Sequence, residues 1–265
     1  MFRHFTTGAI TLALLFVTLG AVRGQVPPPP GFWLVPVDDG VEARSGIQFP
    51  AATDQMLAAQ LTEANAVSVA GKTPLTVMGL RGKGLLLSAD LTSSGDYYAV
   101  VSLAPEQVTI DAASFDAYLR QQELTPILSQ RSERGERGKA AIVRFQRYAK
   151  ALLHHPGTGT TATSYQGQRF ELVPLADPAK LRVGDTLRIS VTLEGRAAAS
   201  AHVAAGYAGE PGTPTIRGTA DADGIVSIPL RHAGLWYLTS SVMRHAASPD
   251  VDWESFTASL TLSVR

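Results

Sequence analysis

The stretch Thr186–Leu193, TLRISVTL, is where the fold is read most directly. Leu187, Ile189, Val191 and Leu193 alternate with Thr186, Arg188, Ser190 and Thr192. A period of two puts the apolar set on one face of a strand and the polar set on the other. Glu194-Gly195-Arg196 supplies a hairpin-type connection, and Ala201 to Ala205 returns. Before this stretch, Phe170 to Val173 reads as a strand leading to Pro174, with turns at Asp177-Pro178 and Val183-Gly184-Asp185. After it, Ala222-Asp223-Gly224 turns the chain into Ile225 to Leu230, and Leu235 to Met243 and Phe256 to Val264 close the sheet. Short strands separated by turn residues predict an immunoglobulin-like or transthyretin-like sandwich over residues 165–265.

The first half carries similar runs. Tyr97–Leu103, YYAVVSL, is the strongest, preceded by the turn Ser93-Ser94-Gly95-Asp96. Phe32 to Val35, Ala66 to Ala70 and Leu85 to Ala89 are the others. A helical segment is expected over 111–155. Asp111 reads as the N-cap of Ala112 to Gln122, where Phe115, Tyr118 and Leu119 recur at helical spacing. Leu124 to Ser129 reads as a further helical turn and Arg131 to Lys139 as a solvated connector. Ala140 to His154 is expected to be a helix with Ile142, Phe145, Tyr148, Ala149 and Leu152 on one face, and Arg144, Arg147 and Lys150 mostly elsewhere. The expected architecture is therefore mainly β: two β-sandwich domains, residues 32–156 with the helical insert and residues 165–265. A breaker runs from His154-His155-Pro156-Gly157 to Ser164 between them.

The N-terminus speaks to compartment. Arg3 and His4 precede an apolar run from Ala9 to Val22, too short for a span of about 20 residues. Val22 and Gly24 suit a cleavage site, so residues 1–24 read as a secretory signal peptide and the mature chain as periplasmic or secreted. Residues 25–31 form a Pro-rich spacer, stiff and extended at Pro27 to Pro30. No later stretch is apolar enough to span a membrane. The 265 residues contain 23 Lys plus Arg and 23 Asp plus Glu, so the formal net charge is zero. That balance argues against nucleic acid as a partner, because phosphate binding needs a basic excess. The absence of cysteine excludes disulfides, thiol catalysis and thiolate metal sites.

Chemistry-bearing patterns are sparse. There is no Gly-x-Ser-x-Gly elbow and no His-Glu-x-x-His helix. Gly79 to Gly84, GLRGKG, lacks the spacing and hydroxyl of a phosphate loop and reads as a basic hairpin tip. Asp221-Ala222-Asp223-Gly224 resembles half of a calcium loop without the distal Glu, and a β-turn accounts for it. Trp33, Trp236 and Trp253 read as core. His154-His155 sit at an expected helix end, where the dipole favours imidazole. His202 and His232 lie in a small-residue strand and at a turn. The remaining set is His245, Asp250, Asp252 and Glu254. Alternation puts the three carboxylates on one face of an extended segment, which with His245 suits an oxygen-rich cation site. A solvated loop anchored by Trp253 is the competing account.

An ordered series of short segments resembles a known family. They are Phe32-Trp33-Leu34, Phe115-Asp116-Ala117-Tyr118-Leu119, Arg147-Tyr148-Ala149-Lys150 and Leu172-Val173-Pro174-Leu175 with Asp177-Pro178. Asp221-Ala222-Asp223-Gly224, Gly234-Leu235-Trp236 and Asp252-Trp253-Glu254-Ser255 follow. Together they resemble the domain of unknown function 4198 family, exported bacterial proteins associated with nickel or cobalt uptake. The resemblance implies a periplasmic protein with a C-terminal β-sandwich, a divalent metal ion as the ligand and a metal-uptake transporter or other envelope protein as partner. Two departures weigh against the metal. The family commonly carries a His-Asp pair before Phe-Trp-Leu, where this chain has Pro30 and Gly31, and a His before the Met that follows Gly-Leu-Trp, where this chain has Val242. Imidazole is the natural nitrogen ligand for nickel and cobalt. The expectation is thus an exported accessory protein that binds rather than catalyses, with a structural or protein-interaction module as the alternative.

Overall fold

Both decisive stretches form strands with the expected bounds, but between them the chain does something the residue pattern concealed. The computed structural model describes residues 28–38, 40–89, 95–153, 161–210 and 214–265. The first half runs through β1 (Gly31–Val37), β2 (Gly40–Gly46), β3 (Leu61–Ser68), β4 (Gly71–Pro74), β5 (Thr76–Arg81), β6 (Gly84–Ser88), β7 (Tyr97–Leu103) and β8 (Glu106–Ile110). Helices α1 (Ala112–Gln121) and α2 (Thr125–Glu133) precede β9 (Ala141–Leu153). The second half contains β10 (Phe170–Pro174), β11 (Thr186–Leu193), β12 (Arg196–Ala197), β13 (His202–Tyr207), β14 (Ile216–Thr219), β15 (Ile225–Pro229), β16 (Gly234–His245) and β17 (Trp253–Val264). Residues 1–24, expected to be a leader, and His154-His155 lie outside the described residues.

The protein is mainly β, in three stacked sheets. The middle sheet has nine strands in the order β14-β13-β16-β17-β9-β7-β3-β4, with β8 pairing β9 beside β7. One outer sheet is β1-β2-β6-β5, and the other holds β10, β11, β12 and β15. Alternation along the middle strands feeds two cores. Ala99 and Val101 of β7 and Ala149 and Ala151 of β9 pack with Phe32, Leu34, Val41 and Leu87 of the first outer sheet. Tyr98, Val100, Tyr148 and Leu152, on the opposite face, pack with Leu172, Leu187, Ile189 and Val226. Burying each such aliphatic side chain is worth roughly 1.5–3 kcal/mol. Trp33, Trp236 and Trp253 are all buried, as expected.

Residues 141–153 correct the expected helix. The helical part of 111–155 ends with α2, and β9 is a long central strand. Spacing of three between Arg144, Arg147 and Lys150 imitated a polar helix face. In the structure Arg147 and Lys150 are buried, because sheets or helices cover both faces of β9 and ion pairs replace water. Arg131 corrects the solvated connector. It is 1% exposed, donates to the Glu136 and Lys139 carbonyls at 2.8 and 2.9 Å, and lies over the Phe115 ring.

The boundary expected at residues 156–165 does not separate the sheets. β17 pairs in parallel with β9, Trp253 opposite Val143 through Thr261 opposite Ala151. Strands from both halves therefore share one sheet, and the larger core draws on both.

Candidate functional site

The side chains of the expected cation set go to different partners. Asp252 is a backbone clamp: its Oδ2 accepts from the Ile142 N–H at 2.7 Å, tying the start of β17 to β9. Glu254 accepts from Arg244 Nε at 3.0 Å and faces Arg144 at 3.8 Å. The His245 ring stands edge-on to Trp253, with centroids 5.2 Å apart. Asp250 is exposed. Among the described residues no group of three or more His, Asp or Glu side chains is gathered to hold a metal ion. Of the four expected residues, Asp252 is committed to a backbone N–H and Glu254 to guanidinium groups. Asp221 likewise acts as a turn residue, accepting from the Asp223 and Ile225 N–H groups.

The buried charges are sealed rather than poised. Lys150 Nζ donates to Glu171 Oε1 at 2.6 Å, and both side chains are 1% exposed. Burial lowers the Lys150 pKa, and Glu171 opposes that shift. Glu171 also accepts from the Gln166 and Gly167 N–H groups, holding the chain before β10 against the sheet. Arg147 pairs with Glu106 at 2.9 Å, its pKa lowered by burial against the pull of that carboxylate.

A shallow polar groove lies where the end of α1 meets β13, β14 and β16. Its centre is Glu123, which pairs with Arg217 Nε at 3.0 Å and His202 Nδ1 at 3.3 Å. Glu123 has φ 57°, a left-handed conformation that costs a non-glycine residue energy. The Ser240 hydroxyl donates to the His202 carbonyl at 2.7 Å and not to its ring, and Ser241 donates to the Gln122 amide oxygen. A serine committed to a backbone carbonyl is not an activated nucleophile. The groove thus works as a latch fastening α1 to the sheet.

The surface feature that sequence reading missed is β5. It is the edge strand of the first outer sheet, and all six of its residues are exposed. Val77, Met78 and Leu80 are 38%, 61% and 60% exposed. The nearby edge strand β4 is also exposed but carries Lys72 and Pro74, residues that discourage strand pairing. β5 has neither Lys nor Pro, and only a register shift between Val77 and Gly79 interrupts it. Beyond it, the expected basic tip turns at Gly82-Lys83, with Lys83 Nζ bonded to the Thr53 carbonyl. The signal was present in TVMGL beside GLRGKG, but strand propensity does not say whether an apolar run is covered.

Among the described residues the protein is thus a mainly β protein of three sheets, with paired interior charges such as Lys150–Glu171 and an exposed apolar edge strand. The chain belongs to the family described as Domain of unknown function (DUF4198), whose model matches residues 31–244. No curated protein and no solved structure matches the chain. No helix among the described residues is long and apolar enough to cross a membrane.

Proposed function

We propose that the mature chain works outside the cytoplasm as a protein-interaction module of the cell envelope, acting by contact and carrying out no reaction. The observation that carries this reading is the exposed apolar edge β5, beside an edge that is protected in the usual way. Unpaired strand edges with apolar side chains are sites for strand addition. The leader-like N-terminus supports export. In nickel or cobalt uptake such a module would serve as a contact for the transporter, not as the carrier of the ion, because the available ligands are committed elsewhere.

A photo-cross-linkable residue replacing Leu80 in the protein expressed with its own leader tests the reading. Adducts to a protein of the envelope fraction are expected, and a cross-linking pattern identical to that of the same residue placed at exposed Val183 would overturn it. Titration of the purified chain with nickel, cobalt, zinc and calcium is expected to produce neither binding heat nor a change in melting temperature. A stoichiometric heat lost on His245→Ala or Glu254→Gln would restore the metal-carrier role.

A further inference from the structure

The occupant of β5 can be narrowed from its chemistry, taking the interaction reading above as the starting point. Between Glu63 and Asp90 the chain has no acidic residue, while Lys72, Arg81 and Lys83 are cationic. The carboxylates that meet Arg81 and Lys72 come from elsewhere in the chain and are shared with other donors, and Lys83 donates to a backbone carbonyl. Glu42 holds Arg81 at 3.2 Å but also accepts from Arg44 at 2.7 Å, and Glu63 faces Lys72 at 3.6 Å. The β5 edge is therefore apolar along its length and basic at its end.

Three kinds of occupant would cover an apolar edge, and the residues separate them. A lipid surface would take Val77, Met78 and Leu80 but would leave the outward backbone N–H and C=O groups of an edge strand without partners. Each such group costs several kcal/mol in hydrocarbon. A second copy would supply backbone partners, but its own β5 holds no carboxylate to meet the cations at the tip. An extended acidic segment satisfies all three features: it completes the backbone ladder, covers the apolar side chains and neutralises the tip. We infer that β5 is a strand-addition site for an extended peptide of a partner protein that alternates apolar residues with Asp or Glu.

The test uses the full mature chain and three synthetic peptides: one alternating Glu with Val, one alternating Lys with Val, and the Glu-Val peptide with proline at its centre. The Glu-Val peptide is expected to slow hydrogen exchange at amides of residues 76–81 and to bind several-fold more weakly at high salt, where exposed charges are screened. The other two peptides are expected not to bind. Leu80→Glu is expected to weaken the Glu-Val peptide by about tenfold or more through like-charge repulsion. Met78→Asp serves as the second variant, and unchanged melting temperatures show that both fold. Equal binding of the Lys-Val peptide, protection outside β5, dimerisation lost in Leu80→Glu, or uptake onto anionic phospholipid vesicles lost in Leu80→Glu would each overturn the inference. Cross-linking from position 80 to an envelope protein without Glu-Val peptide binding would leave the interaction module standing and remove this occupant. Loss of both would remove the two together.

Discussion

Glu123 shows how a single residue trades backbone strain for contact. Helices α1 and α2 end in the same motif. In α1 the Leu124 and Glu123 N–H groups return to the Leu119 and Arg120 carbonyls, and in α2 the Glu136 and Gly135 N–H groups return to Arg131 and Ser132. The left-handed position is Gly135 in α2, the usual choice, and Glu123 in α1. Glu123 is held there by Arg217 and His202, an exposed pairing worth about 0.2–1 kcal/mol. Glu123→Gly removes the pair and the strain together, whereas Glu123→Ala removes only the pair. Chemical denaturation is expected to find the Gly variant more stable than the Ala variant by about 1 kcal/mol. Equal stabilities would show that the backbone at this position is unstrained. Lys150 is the opposite case, since no water can replace its partner. Lys150→Met leaves the Glu171 carboxylate buried without its cation, and a loss of about 3–5 kcal/mol is expected by denaturation.

At the scale of elements, the β11–β12 hairpin is fastened by its turn. Glu194, another left-handed residue, accepts from Arg244 and from Arg169, joining the hairpin to β16. Those hydrogen bonds lower the Glu194 pKa from 4.5 to about 2. A carboxylate depressed in the folded state contributes its stabilisation above the unfolded value and loses it as pH falls through the folded one. The tie is therefore intact above about pH 4.5 and released toward pH 2. Carboxyl carbon shifts are expected to show Glu194 titrating near 2, and higher in Arg244→Gln. A midpoint in the ordinary glutamate range in the parent chain would show that the tie does not form in solution. Strand β9 teaches a related lesson about legibility. Its apolar residues met a helical template, and nothing local said that Glu106 and Glu171 would receive Arg147 and Lys150. Period alone does not separate a buried strand from a helix when ion pairs carry the polar positions.

For the whole molecule, the parallel pairing of β17 with β9 sets cooperativity. The middle sheet crosses the Thr/Gly-rich connection, and the larger core takes side chains from both halves. Scanning calorimetry of residues 25–265 is expected to give a single transition whose calorimetric and van't Hoff enthalpies agree. Two resolved transitions would mean that the halves fold independently. The β-rich class, the Asp111 cap, the tryptophan core and the bounds of β7 and β11 were legible in the residues, because alternation, capping and turn chemistry act over a few positions. The layering, the burial of Arg131, Arg147 and Lys150, the partners taken by Asp252 and Glu254, and the exposed edge at β5 depend on which distant strands become neighbours. Only tertiary structure decides that, since whether a charge meets water or a counter-charge, and whether an apolar face is covered, are properties of partners rather than of spacing.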